Sequence, residues 1–393
     1  MKRNIIALIM AGCMITLCAC NVNINTGGTA APQAEDAGDK TAADDGTAPD
    51  EQVPEETADT GNEDSVKEIS PDANGVLAGD LFSVTVPADV TGYIAFSSPN
   101  GIELCDKEAR DAGFGGYVFS IQAYKNPGDY AGGIDTKKGE IHLQDEIYDV
   151  TITQATDVQW DYEKYTAMPE SYEKIYKSMD AIVNSIKPAG GGEYIAGAGT
   201  KGEDLYGDVI EQFKTAISEG WDANKLEENG MSSMYYAMSQ YESAPDVMKV
   251  TGYAYTDMNS DGIDELAVGE ITEGEDKGLI YDIYTMIDRK PAHVVSGYPR
   301  DRYYVLNGGL IVNEASGGAD LTEVVSYYIT PNSTELIPQI AVKYDAYENK
   351  DNPWFVSFSY EEGEWDKISE DEFNEYLGRM DDIKRLDFTP FAN

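Results

Sequence analysis

The chain reads as an α+β protein of two domains, and three observations predict it. Short runs of alternating apolar and polar residues recur over 81–153 and again over 250–360, separated by glycine turns. Each series keeps company with a helical stretch that is apolar on one face, 170–186 in the first and 205–217 in the second. A glycine-rich run, 189–200, stands between them. A length of 393 residues suits two domains plus extra segments, and a hydrophobic content of 41% is enough for packed cores.

The first segment is an export signal. Lys2 and Arg3 precede an apolar run from Ile5 to Thr16, which falls short of the roughly 20 apolar residues that cross a bilayer. The run leads into Leu17-Cys18-Ala19-Cys20. That tetrad resembles the lipobox of bacterial lipoproteins. The resemblance implies removal of residues 1–19, a diacylglyceryl group on the Cys20 thiol, and a chain held on the extracytoplasmic face of the cell membrane. Two acyl chains anchor stably where one anchors marginally. Met10-Ala11-Gly12-Cys13 is a rival tetrad, but it leaves a shorter apolar run before it. Otherwise Cys13 and Cys18 are small apolar filler. Once residues 1–19 are gone, Cys20 and Cys105 are the remaining cysteines. With lipid on Cys20, no intramolecular disulfide can form.

Residues 20–75 contain no aromatic side chain, are rich in Ala, Thr, Gly, Asp and Glu, and carry Lys40 and Lys67 as their only bases. Such a segment buries too little apolar surface to offset its ordering entropy, so a disordered acidic tether is expected. As a flexible coil it reaches roughly 40 Å, and charge repulsion extends it further.

The first domain is expected over 76–188. Leu81-Phe82-Ser83-Val84-Thr85-Val86-Pro87 alternates like a half-buried strand and stops at proline. Further strands are expected over 93–97, 116–124 and 148–153, with a short helical stretch over 107–112 ended by Gly113. The helix over 170–186 presents Tyr172, Ile175, Tyr176, Met179, Ile182, Val183 and Ile186 on one face. The Phe82 to Pro87 stretch, with Thr156-Asp157-Val158-Gln159-Trp160 ahead of the helix, resembles Firmicutes lipoprotein modules with a Mog1/PsbP-like fold. That resemblance implies partner binding and brings no catalytic residues.

Residues 189–202 read as a glycine-rich linker, and the second domain as 203–393. It opens with the helix ending near Gly220 and a second helix over 232–241. Nine short strands follow, over 250–255, 265–269, 279–286, 293–296, 302–306, 310–313, 323–329, 337–343 and 354–360, an antiparallel meander by their spacing. A last short helix is expected over 373–380.

The most specific motif is Asp257-Met258-Asn259-Ser260-Asp261-Gly262-Ile263-Asp264-Glu265. Oxygen-bearing side chains at its first, third and fifth positions, then glycine, match the opening of a calcium loop. The ligands would be Asp257, Asn259, Asp261, the Ile263 carbonyl and Glu265. Val268 stands where an EF-hand has its bidentate glutamate, and the flanks read as strands. The loop therefore resembles the calcium loops between strands in FG-GAP or VCBS-type repeats, with Asn259 and Glu265 replacing two of their acids. Calcium would clip the second domain, and at extracellular concentrations a Kd of about 10⁻⁴–10⁻³ M suffices. Asn-Ser-Asp-Gly is also good turn chemistry without metal. The surrounding tyrosine-rich strands look like C-terminal domains of clostridial lipoproteins, a resemblance that implies no activity.

With 72 acidic against 28 basic residues and a formal charge of -44, nucleic acid is excluded as a partner, because it demands a positive face. Two histidines, His142 and His293, exclude a histidine-rich metal centre. The chain lacks a Gly-x-Ser-x-Gly elbow, a His-Glu-x-x-His helix and a phosphate loop. Cys105 shares a domain with His142 and, if paired with it, would be a nucleophile candidate; a lone cysteine among apolar residues more often packs in a core. Arg289, Lys290, Arg300 and Arg302 form a basic island suited to an anionic ligand or to pairing with nearby acids. Trp354, Phe355, Tyr360 and Trp365 suit a sugar platform or ordinary cross-strand packing. The expected role is non-catalytic binding at the cell surface, with the membrane as one partner and a surface protein or glycan as another. A surface hydrolase acting on wall or dietary polymers, and a structural spacer, are the alternatives.

Overall fold

A computed structural model describes residues 66–130, 134–240, 244–361 and 364–392. The signal peptide, Cys20 and most of the acidic tether lie outside the described residues.

Among the described residues the chain forms antiparallel sheets joined by a few helices, with more strand than helix. The first sheet has the order Lys67–Ile69, Tyr93–Ser98, Gly101–Asp106, Tyr117–Tyr124, Glu146–Gln154, Asp135–Leu143, Glu193–Ala196. A small sheet of Val76–Ala78, Phe82–Thr85 and Lys187–Pro188 is separate in its pairing and packs into the same core. Leu77, Phe82, Ile102, Phe119, Ile141 and Ile152 supply the core from the strands. Tyr172, Ile175, Ile182 and Val183 close it from the helical side, as the apolar stripe predicts. The stripe is carried by two short helices, Glu170–Lys177 and Met179–Val183, in place of the one long helix that the spacing predicts. Ser178 makes the break. Its hydroxyl bonds back to the Ile175 carbonyl at 2.8 Å, a local competitor to the helical ladder.

Three differences from the sequence reading have physical causes. Lys67–Ile69, part of the expected tether, is an edge strand paired with Ala95 to Ser97, because Ile69 finds an apolar partner surface. Asp135–Leu143 is a strand that the pattern does not reveal, since Lys137-Lys138-Gly139 interrupts its alternation and its register shifts between Lys137 and Gly139. Within the glycine-rich run, Glu193–Ala196 pairs with Gly139 to His142 and extends the sheet, so main-chain pairing outweighs linker composition there.

The second sheet runs Asp366–Lys367, Trp354–Ser357, Leu336–Asp345, Leu321–Ile329, Ile311–Gly318, Asp301–Val305, Ile280–Ile287, Glu265–Glu270, Thr251–Thr256, Thr389–Pro390, with Lys290–Ser296 beside Ile280–Ile287. Its strands follow the expected meander except that Lys290–Ser296 leaves the path, so that Ile280–Ile287 pairs directly with Asp301–Val305, and Asp366–Lys367 and Thr389–Pro390 are added at the edges. The helix Gly207–Glu219 buries Ile210, Phe213 and Ala216 on one face of it and ends at Gly220, whose left-handed φ of 65° terminates the helix. The last helix, Glu370–Arg379, opens with a Ser369–Glu372 capping box. No helix among the described residues is long and apolar enough to cross a membrane.

Candidate functional site

The Asp-rich loop joins the strands Thr251–Thr256 and Glu265–Glu270. Asp257 carboxylate oxygens accept from the Ser260 N–H at 2.7 Å and the Gly262 N–H at 3.1 Å, which folds the loop over itself. Ser260 and Gly262 take left-handed backbone, φ 64° and 84°, so the turn is as sharp as the glycine predicts. Glu265, only 1% exposed, accepts from the Met258 N–H at 2.7 Å and from the Thr285 hydroxyl at 3.1 Å. The Asn259 amide N–H2 points at Glu265 at 3.4 Å, while its oxygen accepts from the Asp261 N–H at 3.0 Å.

Burial raises the Asp261 carboxyl to about 7, with the charge of Asp257 adding to it and the Ile263 N–H opposing. Burial also pushes Glu265 well above the usual carboxylate range, and the neighbouring Asp261 charge adds to the shift. Asp257, Asn259, Asp261 and Glu265 are thus tied into one hydrogen-bonded turn. All the candidate donors are oxygens, which suits a hard cation such as calcium. Among the described residues, however, no three Asp, Glu, His or Cys side chains are grouped as a metal site would require.

The loop also does something the sequence could not announce. It lies against the first sheet, where the Lys137 N–H donates to the Asp261 carbonyl at 2.6 Å and the Thr136 hydroxyl to the Ser260 carbonyl at 3.4 Å. A Cβ at Gly262 would stand 2.5 Å from the Lys137 carbonyl, so only glycine fits. Beneath this contact Lys137 is buried, its ammonium 2.7 Å from Asp149 and 2.9 Å from Glu140. Burial opposes ionisation of Glu140, but hydrogen bonds from His142 and Lys137 leave its carboxyl below the ordinary value. Asp149 also accepts from the Tyr130 hydroxyl at 3.1 Å and the Arg289 Nε at 3.2 Å. A cavity of about 50 Å³ sits between Lys137, Glu140, Asp149, Asp261 and Arg289.

Arg289 comes from the opposite side of this seam, at the tip of the hairpin between Ile280–Ile287 and Lys290–Ser296. It reaches the Lys125 carbonyl at 2.9 Å as well as Asp149. So the basic island is divided. Arg289 fastens the two sheets together, and Arg302 pairs with Glu314 at 2.8 Å and Asp276 at 3.3 Å.

A second buried polar group has no counterpart in the sequence reading. Asp282 accepts from the Ser232 N–H at 3.0 Å, the Tyr235 hydroxyl at 2.8 Å and the Ser296 hydroxyl at 2.5 Å, and tethers the helix Met234–Ser239 to the sheet. Burial raises its carboxyl above the ordinary range, against these hydrogen bonds. His293 stands beside it, yet the trio is not wired for nucleophilic catalysis. The same ring nitrogen, Nε2, lies 3.1 Å from Ser296 and 3.4 Å from Asp282, whereas a triad uses opposite nitrogens.

Cys105 and His142 are not brought together. Two strands lie between theirs in the first sheet, roughly 14 Å at the usual spacing. Cys105 is buried, and burial with the Glu103 carboxylate pushes its thiol up to about 12, away from nucleophile chemistry. The aromatic set does not make a flat platform either: Phe355 is in the core, and Tyr360 meets Trp365 edge-on at 73°.

Sequence reasoning missed Lys137, Asp149 and Asp282 because a charged residue inside a strand pattern looks like a solvated face. The one available signal was Lys137 and Glu140 in a stretch rich in both charge and glycine.

Set against known proteins, the chain matches no family model, no curated protein and no solved structure.

Proposed function

We propose that the chain is a non-catalytic binding protein, anchored through Cys20 on the extracytoplasmic face of the cell membrane, with calcium on the loop over 257–265. The observation that supports calcium is a buried excess of negative charge. Asp261, Glu265, Asp149 and Glu140 crowd the seam against Lys137 and Arg289, and burial together with the Asp257 charge raises the Asp261 carboxyl to about 7. Asp257, Asn259, Asp261, Glu265 and the Ile263 carbonyl would hold the ion. When bound, calcium supplies the positive charge that keeps Asp261 and Glu265 ionised. Because the loop touches the first sheet, the clip would secure both sheets, where the sequence suggested the second domain alone. The Asn259 amide bonded to Glu265 favours a metal-free turn as the second reading.

The finer α+β description belongs to the same proposal, supported by the helices that close the first core, with the two expected domains joined as parts of one compact unit. So does the likeness of the first domain to Mog1/PsbP-like lipoprotein modules. The ligand class is a surface protein or glycan. Melting the chain in millimolar calcium and in EDTA tests the clip. With a Kd near 10⁻⁴ M, calcium should add about 1.4 kcal/mol, a shift of a few degrees, and Asp257→Ala should abolish it. An unchanged midpoint retires the metal. Labelling cells with a radioactive fatty acid tests the anchor separately, and label surviving in Cys20→Ala overturns it.

A further inference from the structure

Arg289 and Arg302 of the basic island are engaged with neighbouring acids. Arg300 is not. It is exposed, and its guanidinium has no hydrogen-bond or ion-pair partner among the described residues. The register of the second sheet fixes the face it stands on. The Ser316 N–H donates to the Arg300 carbonyl at 2.9 Å, Ser316 stands opposite Thr322, and Thr322 opposite Tyr344. Every second residue of a strand shares a face, so the next row on that face is Arg302, Glu314, Val324 and Val342. The helix Glu370–Arg379 covers the same face, with Phe373 and Leu377 in one apolar cluster with Val324 and Val342.

A groove of about 510 Å³ is lined by the Arg300 row, by Val324, and by Phe373 and Leu377 of the helix. Small-molecule sites run to roughly 300–1,000 Å³ and combine apolar walls with a few placed polar groups. Arg302 and Glu314 line the groove too, but they satisfy each other at 2.8 Å, which leaves Arg300 as the uncompensated charge of the lining. The Thr322 hydroxyl, exposed beside Ser316, also has no partner among the described residues. The formal charge of -44 does not close this place to an anion, because charges more than about 8 Å away are largely screened at physiological salt. A second basin of about 290 Å³ shares Glu314, Val324 and Leu377 with the groove and adds Met380 and Asp381. It gives an apolar body room to extend, while its acids oppose a second negative charge there.

We propose that the groove binds a small organic monocarboxylate with an apolar aryl or alkyl body, its carboxylate on the Arg300 guanidinium and its body along Val324, Phe373 and Leu377. The planar arginine fork matches the two oxygens of a carboxylate. A phosphate dianion or a dicarboxylate would instead bring its second charge toward Glu314. The groove shares no residue with the calcium loop or the lipid anchor, so failure of either reading leaves it untouched.

The test adds the full chain to para-fluorophenylpropionate and follows the ligand by fluorine NMR. Saturable line broadening at millimolar ligand is expected, with the neutral primary amide of the same acid inert. Arg300→Gln should weaken binding about tenfold or more, the usual effect of losing a hydrogen bond to a charged group. Thr322→Trp should fill the groove and abolish the broadening. Both positions are exposed, so both variants should keep the wild-type melting midpoint. Equal broadening of the amide, undiminished binding to Arg300→Gln, no saturation at tens of millimolar, or displacement by inorganic phosphate as readily as by unlabelled phenylpropionate would overturn the proposal. Tighter competition by acetyl-Gly-Gly-Phe than by phenylpropionate would overturn it in favour of a protein C-terminus.

Discussion

Single residues at the seam carry more than their number suggests. Lys137 pairs with two buried carboxylates at once, so removing it leaves Asp149 with Arg289 and Tyr130 alone and Glu140 with His142 alone. Lys137→Met should cost about 3–5 kcal/mol in urea unfolding, the usual penalty for breaking a buried ion pair from one side. A loss under about 1 kcal/mol, the range of a solvated surface pair, would mean that water reaches Asp149. Cys105 offers a cleaner pH test. Its thiol rises from 9.0 to about 12 on folding, so the folded state holds the proton longer than the unfolded state. Its contribution is complete below about pH 9 and is lost as pH rises through 12. The stability difference between wild type and Cys105→Ser should therefore narrow over that window. Native protein should also resist iodoacetamide at Cys105 near pH 8, read from the Cys105 peptide by mass spectrometry, and react in urea.

Elements show local rules holding at their ends and yielding in their middles. Gly220 ends its helix in left-handed backbone, and no atom lies within 4 Å of the place a Cβ would take, so a side chain there meets strain without a clash. Gly220→Ala should cost about 1–2 kcal/mol in thermal or urea unfolding. The hairpin tip Asp288-Arg289 breaks the rule instead. Both residues have left-handed φ, 49° and 61°, where Asn-Gly would be easier. Arg289 keeps that place because its guanidinium reaches Asp149 and two carbonyls across the seam. Arg289→Gly should relieve the turn yet lower stability, and a gain in the melting midpoint would show that the clasp is worth less than the strain.

At the scale of the molecule, the described residues form one compact unit, with the Asp-rich loop and the Lys137 cluster inside the joint between the two large sheets. That joint predicts a single cooperative transition, with circular dichroism and tryptophan fluorescence giving one midpoint. Gly262→Val should separate the two probes, because its side chain cannot fit against the Lys137 carbonyl. Coincident transitions in that variant would show that the joint contributes little to cooperativity.

The sequence by itself determined most of the order of the meander, the helix stripes around Ile175 and Phe213, the stop at Gly220 and the turn at Gly262, because each follows from spacing or from one residue's backbone freedom. It also brought Asp257, Asn259, Asp261 and Glu265 to one loop. Tertiary structure alone decided that Glu193–Ala196 would pair, that Cys105 and His142 would stay strands apart, and that Lys137 would be buried under Asp261. Those outcomes depend on which distant backbone supplies a hydrogen bond or a counter-charge, and neighbours along the chain carry no record of that.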